Sequence, residues 1–268
     1  MPELPLFLKW FAGVLGIGSL FVWSMAGIRL RHRLPILEPT VTRASDMHWL
    51  PLALTLTWVG LNLVTVFSVP VRAGDPPARH DILEMVQIQL VLLAGCGLPL
   101  LMQKTVPIRE YGLHLQDPGG QASDGALGFL ASVIPVVLAW LATVPWRTDE
   151  NQHGLLRLLS EDRSVETLLL VVLLAAVLAP LVEELMYRVI LQSSLEKLAH
   201  PREALLVVAV IFSAMHQLPD AIPLFPLALI LGYVYQQRRS YLSVVLIHML
   251  FNGTNLLFLM LMRELPGS

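Results

Sequence analysis

The chain has 268 residues, of which 55% are hydrophobic and only 14% are charged, and its mean hydropathy is +0.66. Soluble domains carry about 25% charged residues, so this chain has too few charges to cover a water-exposed surface. The composition excludes a soluble globular enzyme, a nucleic-acid-binding protein and a disordered chain. The net charge of −2 indicates no polyanionic partner, and a single cysteine, Cys96, excludes an intramolecular disulfide framework. We therefore interpret the chain as a polytopic membrane protein.

Apolar stretches of spanning length recur along the whole chain. A bilayer core about 30 Å thick requires roughly 20 apolar residues in each crossing helix. The pattern predicts an all-α transmembrane bundle of about eight helices, with seven or nine also compatible. The expected spans are 4–28, 49–69, 82–103, 126–144, 165–198, 204–216, 221–237 and 241–262. The fifth is longer than one crossing requires, and the sixth is short.

The basic residues indicate an orientation. Glu3 precedes the first span, whereas Arg29, Arg31 and Arg33 follow it, which favours a retained helix over a cleaved signal peptide. With the amino terminus outside, ten Lys and Arg residues fall in cytoplasmic loops and six on the opposite side. We therefore expect both termini outside and an integral, multi-pass location. The membrane is the plasma (inner) membrane if the source is bacterial and the endoplasmic reticulum if it is eukaryotic.

Two adjacent glutamates, Glu183 and Glu184, interrupt the fifth predicted span. A charge at the bilayer centre costs roughly 2.5–3.5 kcal/mol on insertion scales, so it usually indicates function. Glu184 and Arg188 are four residues apart and can pair on one helix face, while Glu183 is rotated by about 100°. Two carboxylates in different environments suit general acid–base chemistry. The alternative is a helix end with solvated charges and a routine salt bridge.

Two further polar motifs follow on other predicted helices. Phe212-x-x-x-His216 ends the sixth span, and His248-x-x-x-Asn252 lies within the last one. His248 and Asn252 are four residues apart, so both face one side of their helix. On its own, His216 is more typical of an interfacial side chain than of a catalyst. A bundle that turned all three motifs inward would form one polar cavity among its four or five C-terminal helices.

The order Glu-Glu-x-x-x-Arg, Phe-x-x-x-His and His-x-x-x-Asn resembles the CAAX protease and bacteriocin-processing (CPBP, Abi) intramembrane protease family. It is similar to the type II CAAX prenyl endopeptidase within that family. The resemblance covers about 126–262, so we divide the chain into N-terminal transmembrane helices at 1–124, about three in number, and a CPBP-like protease domain at 125–268. The implied activity is that of an intramembrane endopeptidase, a hydrolase.

The resemblance implies a role for each motif residue. The implied catalytic residues are Glu183, Glu184, His216, His248 and Asn252, with Arg188 and Phe212 in support. Glu183 and His216 would activate a water molecule, and Glu184 with Arg188 would order the site. His248 with Asn252 would stabilise the oxyanion. The implied partners are the lipid bilayer and a membrane-associated peptide or protein, prenylated or bearing a C-terminal sorting tail, cut near its carboxyl terminus. No nucleic acid is expected.

Two alternatives stay open at the level of the sequence. The chain lacks His-Glu-x-x-His, and we favour a metal-free reaction with no cofactor, but Glu183, His216 and His248 could hold zinc with water as the fourth ligand. A different class of function is a non-enzymatic membrane immunity or adaptor protein, or a small proton-coupled transporter. Intramembrane Glu and His residues also serve as proton relays, which is why the transporter is retained.

Overall fold

The computed structural model describes residues 5–39, 47–68, 77–104, 106–148, 154–162 and 164–263. Those residues form nine helices and no strand, which confirms the expected all-α bundle. The helices are α1 Leu6–Arg31, α2 Trp49–Ser68, α3 Arg79–Met102, α4 Pro118–Thr143, α5 Gly154–Glu161, α6 Val165–Leu198, α7 Pro201–Ala214, α8 Ala221–Arg238 and α9 Tyr241–Arg263. Short 3₁₀ turns lie at Ile108–Tyr111 and Val144–Trp146.

Six of these helices, namely α1 to α4, α6 and α9, are long and apolar enough to cross a membrane, so the described part of the chain is that of an integral multi-pass protein. The sixth and seventh expected spans do form helices, α7 and α8, but neither is among the six. With 14 residues, α7 is about 21 Å long at 1.5 Å per residue, which is short of the bilayer core. The helix α8 has 18 residues and ends on Gln236, Gln237 and Arg238.

The start of α4 corrects one sequence boundary. Asp117 caps this helix by accepting a hydrogen bond from the Gly120 amide at 2.9 Å, and Pro118 occupies its first turn. Both residue types are typical at the start of a helix. An aspartate cap accepts a hydrogen bond from an amide that has no partner within the helix, and proline has no amide hydrogen that needs an acceptor. The helix therefore begins before residue 126, where apolarity alone placed it. The expected division between 124 and 125 falls inside α4.

The helix α4 packs against α1, α8 and α9. Small residues allow its close approach to α9. A Cβ added at Gly125 would lie 2.9 Å from the Cβ of Leu246, and one at Gly128 would overlap the side chain of Ile247. Small residues are typical of membrane helix interfaces, where they let two backbones come together. This contact fixes the part of α9 that carries the next residue, His248.

Two π-helical segments, Val172–Leu178 and Leu185–Gln192, interrupt α6 on either side of its glutamates. Such segments are frequent at functional sites, where they change the rotation of the side chains that follow. Two hydrogen bonds from α9 reach carbonyls of this region. Asn252 Nδ2 donates to the Ala175 oxygen at 2.8 Å, and the Tyr241 hydroxyl donates to the Leu181 oxygen at 2.7 Å. Helix α9 is thereby tied to α6 at two points.

Replacing Tyr241 by phenylalanine should lower the free energy of unfolding by about 1 kcal/mol, because the bond to the Leu181 carbonyl is lost while the ring stays. Unfolding by SDS in detergent micelles measures this change. Tyr233→Phe is the matched control, since its hydroxyl only accepts a longer 3.3 Å bond from the Leu37 amide. A larger loss at Tyr233 than at Tyr241 would contradict the assigned tie between the helices.

Candidate active site

Glu184 is the centre of a buried charged cluster. Its side chain is fully buried, and its two carboxylate oxygens have different partners. Arg188 Nε donates to Oε2 at 3.0 Å, which confirms the pair expected from the four-residue spacing. His248 Nδ1 lies 2.9 Å from Oε1. Because a carboxylate accepts, Nδ1 of this histidine carries the proton, and its Nε2 is directed away from Glu184.

The neighbouring Glu183 lies on the other side of the same imidazole ring. Its Oε2 is 3.9 Å from His248 Nε2, and 26% of its side chain is exposed, whereas Glu184 has no exposed side-chain surface. Two adjacent carboxylates therefore flank one histidine in different environments. Glu184 is sealed by partners, and Glu183 is the carboxylate that an incoming molecule can reach.

Phe212 packs at the middle of this cluster. Its ring lies 5.2 Å from that of Tyr187 and 5.8 Å from that of His248, both edge to face. The Arg188 guanidinium lies 5.3 Å from the Phe212 centroid, a cation–π arrangement. The His216 ring is 5.2 Å from the same centroid. One buried phenylalanine thus contacts side chains from three helix segments and holds Arg188 against Glu184.

His216 lies two residues after the last residue of α7 and is half-buried. Its Nδ1 lies 3.0 Å from the Phe212 carbonyl oxygen. Since a carbonyl can only accept, Nδ1 donates, and Nε2 of the neutral ring is left as an acceptor. Both histidines of the cluster therefore have a fixed Nδ1–H and a second nitrogen that is available for chemistry.

Six of the seven expected residues belong to one connected cluster, in which the two glutamates flank His248 and the Phe212 ring lies against Arg188, His216 and His248. The seventh, Asn252, shares the α9 face of His248, but its amide nitrogen donates to the Ala175 carbonyl. One of the two hydrogens on that nitrogen is therefore engaged by α6. Helical spacing predicted the shared face, but it could not show which neighbour the amide would meet.

The described residues include no group of three or more His, Cys, Asp or Glu side chains that could hold a metal ion. The alternative zinc set required Glu183, His216 and His248 as ligands. As placed in the described structure, these three side chains do not form such a group.

A second buried ion pair joins the end of α6 to the residue that follows α8. Arg239 pairs with Glu196, and the two residues are 1% and 3% exposed. The positive φ of 45° at Arg239 is uncommon for a residue with a side chain, and it follows the end of α8. Four-residue steps from Glu184 lead to Glu196, and that spacing is the signal that could have identified it.

A cavity of about 500 Å³ lies apart from these clusters, between α1, α4 and the end of α8. Two ion pairs form part of its wall, Arg29 with Glu38 and Arg238 with Asp124. Within each pair the positive and negative charges neutralise each other. The cavity contributes no group to the Glu184 cluster.

The family model of Type II CAAX prenyl endopeptidase Rce1-like proteins matches residues 165–254. The matched segment runs from the start of α6 into α9, and it contains all seven of the expected site residues. No curated protein and no solved structure gives a match. The family match agrees with the resemblance found in the motifs, and it supports CAAX-type intramembrane protease activity in general terms.

Proposed function

We propose, from the match of residues 165–254 to the type II CAAX prenyl endopeptidase family, that this chain is an intramembrane endopeptidase. Its substrate is a membrane-associated protein or peptide, prenylated or with a sorting tail, cut near its carboxyl terminus. The observation that carries the proposal is the placement of His248 between a sealed and an accessible glutamate. The site faces the cytoplasm if both termini lie outside.

Glu183 is the general base of the proposed reaction. As the accessible carboxylate of the pair, it takes a proton from a water molecule while the water oxygen attacks the carbonyl carbon of the peptide bond. The acceptor nitrogen of His216 receives a hydrogen bond from the same water, since its Nδ1 is fixed at the Phe212 carbonyl. Together they orient the water without a covalent enzyme intermediate.

His248 stabilises the negative charge that develops on the substrate oxygen. In its protonated form it keeps Nδ1–H on Glu184 and presents Nε2–H on the Glu183 side. Hydrogen-bond donors that are already in place, in a poorly hydrated site, are usually the largest single source of transition-state stabilisation. Glu183 then returns the proton to the leaving amine, and the products are a carboxylate and a free amine.

Asn252 has a positioning role in this scheme. Its bond to the Ala175 carbonyl holds α9 against α6, and thereby holds His248 near Glu184. The second hydrogen of the same amide group is the one that would donate to the oxyanion beside His248.

A cleavage assay in proteoliposomes tests the proposal. The substrate is a peptide that ends in a farnesylated Cys followed by two aliphatic residues and one final residue, and mass spectrometry detects the released tripeptide. The same peptide without the farnesyl group tests the prenyl requirement. Glu183→Gln should lower kcat by about a hundredfold or more, the contribution typical of a general base. Glu161→Gln, an equivalent change at an exposed carboxylate, should retain wild-type activity.

Equal cleavage by the wild type and Glu183→Gln would overturn the assigned base. Absence of cleavage of any peptide by the wild type would count against an enzyme. In that case, proton-coupled uptake that is lost in Glu183→Gln would favour the transporter. A cellular phenotype that survives the substitution would favour the adaptor.

A further inference from the structure

The end of α6, the end of α8 and the start of α9 meet at one buried polar cluster. We name it the Arg239 corner, and its members are Tyr111, Gly112, Ser193, Glu196, Tyr235 and Arg239. The guanidinium of Arg239 pairs with Glu196, donates through Nη1 to Ser193 Oγ at 3.1 Å, and stacks 5.1 Å from the centre of the Tyr235 ring. One side chain thus joins α6 to α8 at the point where α8 ends.

The turn before α4 closes the same corner from the other side. The Tyr235 hydroxyl donates to the Tyr111 carbonyl at 2.9 Å, and the Tyr241 amide, at the first residue of α9, donates to the Gly112 carbonyl at 3.0 Å. The direction in which α9 leaves the corner is therefore set by backbone contacts on one side. On the other side it is set by the left-handed conformation of Arg239.

A file of buried polar side chains connects the corner to the active site along α6. Glu184, Arg188, Gln192 and Glu196 follow one another at four-residue intervals, and all are buried. Gln192 Nε2 donates to Glu196 Oε1 at 3.2 Å and to the Gly232 carbonyl at 3.0 Å. Gln192 and Glu196, which are neighbours in this file, are therefore hydrogen-bonded to each other.

Gly232 of α8 faces the middle of this file. A Cβ added there would lie 3.1 Å from Gln192 Oε1 and 3.4 Å from Arg188 Nη1. Because Gly232 has no side chain, the polar ends of Gln192 and Arg188 both fit against the α8 backbone. Two hydrogen-bonded pairs, Gln192–Glu196 and Glu184–Arg188, therefore lie in succession along α6 with Gly232 opposite the step between them.

Helix α9 gives a second connection between the corner and the site. Arg239 lies just before Tyr241, the first residue of α9, and His248 follows about two turns along the helix. Since His248 bonds Glu184 of α6, the active site needs α6 and α9 to keep one relative position. The Arg239 corner fixes the C-terminal end of α6 and the N-terminal end of α9, which α7 and α8 connect along the chain.

We propose that Arg239 and Glu196 are positioning residues for the active site. Their ion pair holds α6 and α9 in the register at which His248 Nδ1 stays bonded to Glu184. The kinetic part of this inference rests on the proposed function, whereas the effect on the His248 bond does not.

A double-mutant cycle separates positioning from stability. Arg239→Met leaves Glu196 as an unpaired buried carboxylate, so it should lower both stability and kcat. Adding Glu196→Gln removes that stranded charge, so the double variant should regain stability, measured by SDS unfolding. Its kcat should stay at least tenfold below the wild type, with KM changed less than twofold, because the ion pair is still absent. Recovery of kcat together with stability would overturn the positioning role.

The His248 bond can be observed without any substrate. In protein labelled with ¹⁵N-histidine, a carboxylate-bonded imidazole N–H gives a downfield proton resonance, which His248→Gln identifies by its loss. The resonance should disappear or shift in the Arg239→Met/Glu196→Gln double variant and persist in Arg202→Met, a change at an exposed arginine. A resonance unchanged in the double variant overturns the inference. If it shifts but the wild type cleaves no peptide, the positioning role stands and the proposed function fails.

Discussion

Replacing Glu184 by leucine should destabilise the protein by about 3–5 kcal/mol, the loss typical of removing one partner from a buried ion pair. Arg188 would keep its charge in a fully buried position. Its only described hydrogen-bond acceptor is Glu184, and neither Nη1 nor Nη2 has another partner among the described residues. The stacking of Arg188 on Phe212 is present with and without Glu184, so it does not reduce this loss. His248 would also lose the acceptor of its Nδ1–H.

SDS titration in detergent micelles measures this loss as a shift of the unfolding midpoint. Glu184→Leu/Arg188→Met should regain most of the stability, because an apolar pair of similar volume leaves no stranded charge. Glu161→Leu, at an exposed position, should change stability by less than about 0.5 kcal/mol. A double variant no more stable than Glu184→Leu would show that the stranded charge is not the cause.

Gly112→Ala should lower the free energy of unfolding by about 2–4 kcal/mol, through two costs that add. Gly112 has a φ of +79°, a left-handed conformation that disfavours any Cβ. That Cβ would also lie 2.5 Å from the Arg239 carbonyl oxygen and 2.7 Å from its carbon. The obstacle is backbone, which cannot rotate away as a side-chain end can. The corner would have to open to admit one methyl group.

The same SDS titration compares Gly112→Ala with Gly60→Ala. A Cβ at Gly60 meets nothing within 4 Å, and Gly60 lies inside α2, where alanine is the better helix former. The control should therefore be neutral or slightly stabilising. Equal stability of the two variants would be incompatible with the close approach of Gly112 to Arg239.

Much of the fold is predictable from the sequence because the bilayer imposes simple limits on length and charge. The six helices long enough to cross a membrane and the two shorter ones, α7 and α8, all follow from apolar stretches of defined length. The pair Glu184–Arg188 follows from helical spacing alone. Its buried position could be anticipated, because the residues before it are uncharged from Leu168 to Val182.

What could not be predicted depends on contacts between distant segments. The amide of Asn252 meets Ala175 only because α9 packs against the π-helical part of α6, and single-sequence periodicity cannot place π turns. Arg239 follows Arg238 and has the sequence pattern of a charged loop. A left-handed backbone and a partner 43 residues earlier turn its side chain inward. Neither feature is visible in local composition.

The short length of α7 has a consequence for the lipid around the protein. At about 21 Å this helix does not match an ordinary bilayer core, and Leu206, Val207 and Val210 expose their side chains along it. Acyl chains in contact with these residues meet a hydrophobic mismatch, which membranes relieve by local thinning. His216 follows the end of this helix, so the depth of this histidine in the bilayer should depend on the thickness of the surrounding membrane as well as on the protein.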